Sequence, residues 1–234
     1  MNKLAIVGYG KMGRLIEQLA PEYDFSVSAR IDLDGDFSQA ADADVAIEFT
    51  QPDAVAGNVE KLAAMRVPVV VGTTGWLKHM DRIRAAIQEH DSAMIWSPNF
   101  SIGVNVFARL VREAARMLGD QPEYGAWAWE IHHHTKKDAP SGTLIKLIDE
   151  MKSGGFGRPI DASSNRAGAH PGTHEIGFDS AADTITLRHT ARNREGFARG
   201  ALKAAQWLIS GSGEENCRKH GVFEFSDILF RSDS

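Results

Sequence analysis

The densest chemistry in this sequence lies in one run, Glu130-Ile131-His132-His133-His134-Thr135-Lys136-Lys137-Asp138-Ala139-Pro140-Ser141-Gly142-Thr143. Three imidazoles and two ammonium groups stand just before a turn that opens a helix. Imidazole gives and takes a proton near neutral pH, and a lysine beside it neutralises negative charge. Pro140 to Thr143 leads into Leu144, Leu147, Ile148 and Met151, one apolar helical face, so the N–H groups of the turn are placed to hold a carboxylate. Together these residues describe a pocket for a small dianion that becomes protonated. Lys136 and Lys137 point in different directions, so at most one of them faces the pocket. Consecutive histidines on an extended segment also point to opposite faces and have few acidic neighbours, so no metal is expected.

A second constellation opens the chain. Gly8-x-Gly10-x-x-Gly13 follows a short apolar run, Lys3 to Val7, and precedes Met12, Leu15, Ile16 and Leu19 at helical spacing. Strand, glycine turn and helix in this order make a dinucleotide loop: Gly8 for the tight turn, Gly10 for approach to a pyrophosphate, Gly13 for close helix packing. Asp32, 19 residues beyond Gly13, is placed to accept from an adenosine ribose. It favours a free 2′-hydroxyl, whereas Arg30 or Lys11 offers a partner for a 2′-phosphate. NADH is expected, with NADPH tolerated.

The elements that must position these groups follow from periodicity. Strands are expected at Lys3 to Val7, Phe25 to Ile31, Asp44 to Phe49, Val67 to Val71 and Ala93 to Trp96, with helices between them. The alternation predicts a doubly wound parallel sheet of Rossmann type, which takes ligands at the carboxyl ends of its strands. The glycine loop, Thr50, Gly72-Thr73-Thr74-Gly75 and Ser97-Pro98-Asn99 all fall at such ends. After about residue 102 the pattern changes to helix 104–118, strands at 127–131, 173–178 and 184–189, helices 144–151 and 197–209, and a last strand 222–229. This reads as an α+β unit with a partly open sheet. Ser153 to Gly157 and Ala162 to Gly172 read as mobile loops.

Composition narrows the class. With 234 residues the chain accommodates one large domain or two small ones, and 43% hydrophobic against 24% charged residues supports a real core. A net charge of −5 without a basic tract argues against nucleic acid. No apolar run approaches the ~18 residues of a membrane span. The MNKLAIVGYG start is expected to carry no secretory signal. Cys217 stands alone, so no internal disulfide is expected and a reducing cytoplasm is the default.

The histidine run resembles the E-x-H-H-x-x-K-x-D-A-P-S-G-T pattern of the dihydrodipicolinate (4-hydroxy-tetrahydrodipicolinate) reductases. The resemblance extends along the whole chain: Gly10-Lys11-Met12-Gly13, the F-T-x-P of Phe49 to Pro52, Gly72-Thr73-Thr74-Gly75, Pro98 to Asn105, Arg166-x-Gly168, Gly172-x-His174, and Phe197 to Ala201. The glycine loop is one residue shorter than in many members, and Leu33 follows Asp32 where an arginine is often found. Both departures bear on cofactor preference.

The resemblance implies hydride transfer from NADH and/or NADPH to C4 of a cyclic, conjugated imine dicarboxylate, giving tetrahydrodipicolinate on the diaminopimelate route to lysine. His132 would be the proton donor and Lys136 would hold substrate charge. His133, Ser141, Gly142 and Thr143 would bind substrate, the last two gripping a carboxylate. Gly8, Tyr9, Gly10, Lys11 and Met12 would surround the pyrophosphate and Asp32 the ribose. Phe49, Thr50, Gly72, Thr73, Thr74, Ser97, Pro98, Asn99 and Phe100 would line the rest of the cofactor crevice, although Phe100 reads equally well as core.

The resemblance further implies a dinucleotide-binding domain of residues 1–102 and 211–234, and a substrate-binding and oligomerisation domain of residues 103–210. That second domain would have an open mixed sheet through which a homotetramer forms, with hinges near Ser101 and Ser210. Diaminopimelate or aspartate dehydrogenases share the architecture but lack the histidine run. A non-catalytic NAD sensor has no use for a proton donor.

Overall fold

The computed structural model describes residues 1–32, 35–210 and 219–230. Leu33, Cys217 and half of the tail expected to rejoin the first domain lie outside the described residues. In chain order the strands are β1 (Asn2–Val7), β2 (Phe25–Ile31), β3 (Val45–Glu48), β4 (Val69–Val71), β5 (Ala93–Trp96), β6 (Gly125–His132), β7 (Ile160–Arg166), β8 (Thr173–Asp179), β9 (Thr184–Thr190) and β10 (Gly221–Glu224). The α-helices are α1 (Lys11–Leu19), α2 (Val55–Ala64), α3 (Met80–Glu89), α4 (Ile102–Leu118), α5 (Gly142–Ser153), α6 (Glu195–Ile209) and α7 (Phe225–Leu229).

The chain forms two compact units, Met1–Ser101 with Glu195–Ser234, and Ile102–Arg194. The first is built on a six-stranded parallel sheet of order β10-β5-β4-β3-β1-β2. Its central strands are apolar without alternation because helices bury both faces; Val69, Val70 and Val71 are all fully buried. The strand order reverses between β1 and β3. Val7, Glu48, Val71 and Trp96 stand in register across β1, β3, β4 and β5, so the loops after these four strands leave the sheet at one level.

The boundary of this unit falls at residues 194 and 195, not at 210. Helix α6 packs on α1 and against β3, β4 and β5. Its buried residues are Leu202 and Leu208 with Ala198, Gly200, Ala201, Ala204 and Ala205, the last five small enough to lie close on a sheet. Periodicity showed an amphipathic helix but not which sheet it would cover. The segment 222–229 is likewise not one strand: β10 gives way to α7 after Glu224.

The second unit has a four-stranded mixed sheet of order β7-β6-β8-β9, in which β7 runs parallel to β6 and the remaining pairs are antiparallel. Helices α4 and α5 supply Phe107, Val111, Ala115, Leu144, Leu147 and Met151 to a core with Ala128, Ile176 and Phe178. Residues 160–166, most of which were expected in a mobile loop, form strand β7. Its sequence IDASSNR shows no apolar alternation because it is an edge strand with little buried surface; pairing with β6 organises it. The turn after α5 is also anchored. Phe156 is fully buried against Phe178, and the Arg158 guanidinium donates to the Leu118, Gly119 and Tyr124 carbonyls.

Candidate active site

In the second unit, strand alternation turns Ala128, Glu130 and His132 of β6 towards the helices and exposes none of them appreciably. Glu130 is the hub. It accepts from the Ser141 N–H at 2.8 Å, the Ser141 hydroxyl, the Ser164 hydroxyl at 2.9 Å and Arg166 Nη2 at 2.9 Å. His174 Nε2 lies 3.3 Å and His132 Nδ1 3.4 Å from its Oε2. Burial by itself would push this carboxyl up. The hydrogen bonds from His174, Ser141 and Arg166 more than reverse that and hold it well below the usual carboxylate range.

Ser141 serves two elements at once. Its oxygen caps α5 by accepting from the Leu144 N–H at 3.2 Å, while its hydroxyl donates to Glu130. The first intrahelical bond of α5 runs from the Ile145 N–H to Ser141 O at 3.0 Å, so the Gly142 and Thr143 N–H groups precede the ladder. They lie at the positive end of the helix dipole, where a carboxylate is favoured.

His132 is buried, and burial pushes its imidazole down to about 4. Glu130 pulls the other way, while His174, Lys136 and Arg166 add to the depression. Its Nε2 edge faces Gly172: a Cβ there would sit 2.9 Å from Nε2, and φ at this glycine is +134°. No side chain fits between the imidazole and the backbone at that point. His174 crosses the His132 ring edge-on at 5.0 Å. Half-buried His133 shares a hydrogen bond with Thr135 Oγ1 at 2.7 Å, and exposed His134 ties to Gly168 O at 2.8 Å. Lys136 Nζ rests on Asp138 at 2.8 Å, and Lys137 is exposed. Donor atoms of Glu130, His132 and His174 come within 4.8 Å of one another. With Arg166 and Ser141 already bound to the carboxylate, this group is a hydrogen-bonded network whose guanidinium opposes a cation.

In the first unit a cleft of about 390 Å³ is lined by Gly10, Lys11, Met12, Phe49, Thr50, Pro52, Gly72, Thr73 and Thr74. These are the carboxyl ends of β1, β3 and β4. Gly8 has φ +92°, and a Cβ on it would run into the Phe49 carbonyl where the two strands part. Above Gly10 there is open space, and α1 begins immediately beyond it. The lining holds no acid and one cation, Lys11. Glycine cradle, helix N-terminus and lysine together suit the pyrophosphate of a dinucleotide.

The remaining predicted cofactor residues sit outside that lining. Tyr9 turns aside, its hydroxyl on Glu17 and its ring beside Arg14 and Arg30. Arg30 is itself bound to Glu17, with Nε at 2.9 Å. Asp32 is exposed at the end of β2. Ser97 donates to Asn99 O at 2.8 Å and Asn99 Oδ1 accepts from the Ser101 N–H at 2.9 Å, which fixes the turn around Pro98 from within. The Phe100 ring is core, 5.0 Å from Phe225. Five participants had no assigned role in the sequence: Glu130, Arg166, Ser164, His174 and Glu48. An acid closing the apolar strand DVAIEF was the available signal for Glu48.

A doubly wound sheet with a glycine cradle at its reversal point, joined to a unit bearing a buried acid–histidine network, defines the architecture of a dinucleotide-dependent dehydrogenase. The chain belongs to the dihydrodipicolinate reductase family: residues 2–100 match its N-terminal region and residues 103–229 its C-terminal region. It is 37% identical over 239 residues to the 4-hydroxy-tetrahydrodipicolinate reductase of Christiangramia forsetii, covering 97% of each chain. The reductase of the same name from Methanoregula boonei is 35% identical, with 98% of each chain covered. Among solved structures, a dipicolinate-bound dihydrodipicolinate reductase from Paenisporosarcina superposes with a TM-score of 0.77 at 20% identity, covering 97% of this chain and 99% of that one, and shares its fold.

Proposed function

We propose that this protein reduces 4-hydroxy-tetrahydrodipicolinate to tetrahydrodipicolinate with NAD(P)H, in the diaminopimelate route to lysine. The observation that carries the reading is the match along the full length to relatives named for this reaction. The geometry of β6 and α5 supports it.

Gly8, Gly10, Lys11 and Met12 would hold the pyrophosphate, Asp32 the adenosine ribose, and Phe49, Thr50, Gly72, Thr73 and Thr74 the nicotinamide half, with the Ser97-to-Phe100 turn beside it. When bound, the cofactor supplies a hydride. The protein must then bind two carboxylates and deliver a proton. Gly142 and Thr143 offer the α5 N-terminus to one carboxylate, with Ser141 fixing that turn; Lys136 and His133 offer positive charge and a hydrogen bond to the rest.

His132 starts neutral, because its pKa is about 4. A dianion entering beside it favours the imidazolium and moves the imidazole back towards its ordinary value. The Glu130 carboxylate stands 3.4 Å from Nδ1 and favours the protonated ring by its charge.

The phosphorylated and unphosphorylated cofactors differ at the 2′ position. Arg30 is committed to Glu17, which lowers its pull on a 2′-phosphate, so NADH is favoured and NADPH accepted. Helices α4 and α5 cover one face of the second sheet; the other carries Trp127 and Trp129, and a homotetramer would form there. No helix among the described residues is long and apolar enough to cross a membrane, and the cytoplasm is the setting of this reading.

The test is loss of absorbance at the NADH band with substrate made in situ from pyruvate and aspartate semialdehyde by a synthase. Substrate-dependent oxidation by the native protein supports the reading. No oxidation with either cofactor, despite measurable binding, overturns it.

A further inference from the structure

Glu48 is a charged-type side chain that the reaction as described does not use. It closes β3, in register with Val7 just before Gly8 and with Val71 just before Gly72, so it lies directly beneath the floor of the cofactor cleft. It is fully buried. Its Oε1 accepts from the Thr50 hydroxyl and from Asn58 Nδ2 at 3.3 Å, and its Oε2 has no hydrogen-bond partner among the described residues. Thr50 is in turn joined to the β4 loop, its N–H donating to Thr73 Oγ1 at 2.7 Å. Every one of these contacts is neutral. Among the described residues Glu48 has no ion-pair partner, and burial pushes its carboxyl up, only partly offset by Thr50, Thr73 and Asn58.

A buried acid without a cation costs stability, and a well-packed apolar residue would avoid that cost. Its place in the topology supplies a reason for it. Asp32 follows β2 on the adenosine side of the reversal point, so a dinucleotide across this crevice lays its other half over the loops after β3 and β4. Those loops present Thr50, whose hydroxyl donates to Glu48, and Thr73, which accepts from the Thr50 N–H. A nicotinamide ring is neutral when reduced and positively charged when oxidised. Glu48 in its ionised form, with no counter-cation to cancel its field, therefore acts on one redox state and not on the other, and a positive ring above it in turn favours that ionised form.

We propose that Glu48 sets the preference of this crevice for oxidised over reduced nicotinamide, as a positioning residue acting through Thr50 and Thr73. It favours the ring as positive charge appears on it, the change that accompanies departure of the hydride. The inference rests on the cofactor reading above, and goes beyond it in naming a group that discriminates between the two redox states of the cofactor.

The experiment measures the Kd of NAD+ and of NADH by calorimetry for the full-length native protein, Glu48→Gln and Glu48→Asp. Glu48→Gln keeps the shape and the acceptor for Thr50 but removes the charge. It is expected to weaken NAD+ binding about tenfold while leaving NADH within about twofold. Glu48→Asp keeps the charge and should hold the native ratio of the two constants. Equal weakening of both cofactors by Glu48→Gln would show a prop for the loop and overturn the inference, as would no change in either. Should Glu48→Gln give no cooperative melt, Glu48→Asp decides: a ratio lost while NADH still binds refutes the role, and a ratio retained supports it. A native protein that binds neither nucleotide, phosphorylated or not, removes the cofactor reading and this inference with it.

Discussion

Glu48 and Glu130 are both fully buried carboxyls on strands, one in each compact unit, and burial pushes both upward. They end on opposite sides of the ordinary carboxylate value. Glu130 is met by Arg166, His174, the Ser141 N–H and two hydroxyls, and stays ionised. Glu48 is met by hydroxyls and an amide, and stays above its ordinary range. Burial alone therefore does not determine what a buried acid does; the charge of its partners does. A cation-paired acid is an anchor that holds β6, β7, β8 and α5 in one geometry. An acid with neutral partners leaves its field uncancelled at the cleft above it.

The largest expected contrast is in stability. Glu130→Leu takes from half-buried Arg166, Ser141 and Ser164 the buried acceptor they share and should cost about 3–5 kcal/mol, read from denaturant midpoints. Glu48→Gln leaves no charge behind and should stay within about 1 kcal/mol of native. Equal costs would erase the distinction between anchor and field. The two acids also predict opposite pH trends. Because Glu130 lies below the ordinary 4.5 when folded, the native advantage over Glu130→Gln is present above that pH and fades as pH falls. Because Glu48 lies above 4.5, the native standing relative to Glu48→Gln is best below that pH and declines as pH rises through the folded value. Melting curves across the acid range read both slopes.

Next in size is turnover. His132→Gln and Lys136→Ala should each lower kcat by about 10²-fold or more with NADH affinity retained. A selective loss of NADH binding would move these residues out of the proton-transfer role. Smaller again is the titration of His132 itself. Its imidazole resonances should show a midpoint near 4 in the free protein, and dipicolinate should raise it by about one unit. An unmoved midpoint would separate substrate binding from loading of the acid. The smallest effect concerns the cofactor. Glu17→Gln releases Arg30 and should improve NADPH binding about threefold while leaving NADH unchanged.

Much of this was legible in residue order. The glycine loop, its strand and its helix are contiguous, so local sequence carries them. The same holds for the helix entry at Ser141, where a cap, two N–H groups that precede the helical ladder and an apolar face occupy neighbouring positions. Strand β7 was not legible, because an edge strand draws its order from β6 and has little apolar pattern of its own. Nor was the placement of α6, whose small-residue face fits either sheet until the chain is folded. Phe100, legible as either core or crevice, is core.

The sequence by itself determined the kinds of chemistry available here: a phosphate cradle after β1, imidazoles and a lysine before α5, and the match to one reductase family. Those follow from groups close together in the chain. Only the tertiary structure decided their electrical states. The His132 imidazole is pushed down because the fold removes its water and brings His174 and Arg166, distant in sequence, to join Lys136 around it. Glu130 is an ion because Arg166 and His174 arrive from β7 and β8, while Glu48 meets no cation at the end of β3. Charge state depends on solvent and on neighbours in space, and the fold sets both.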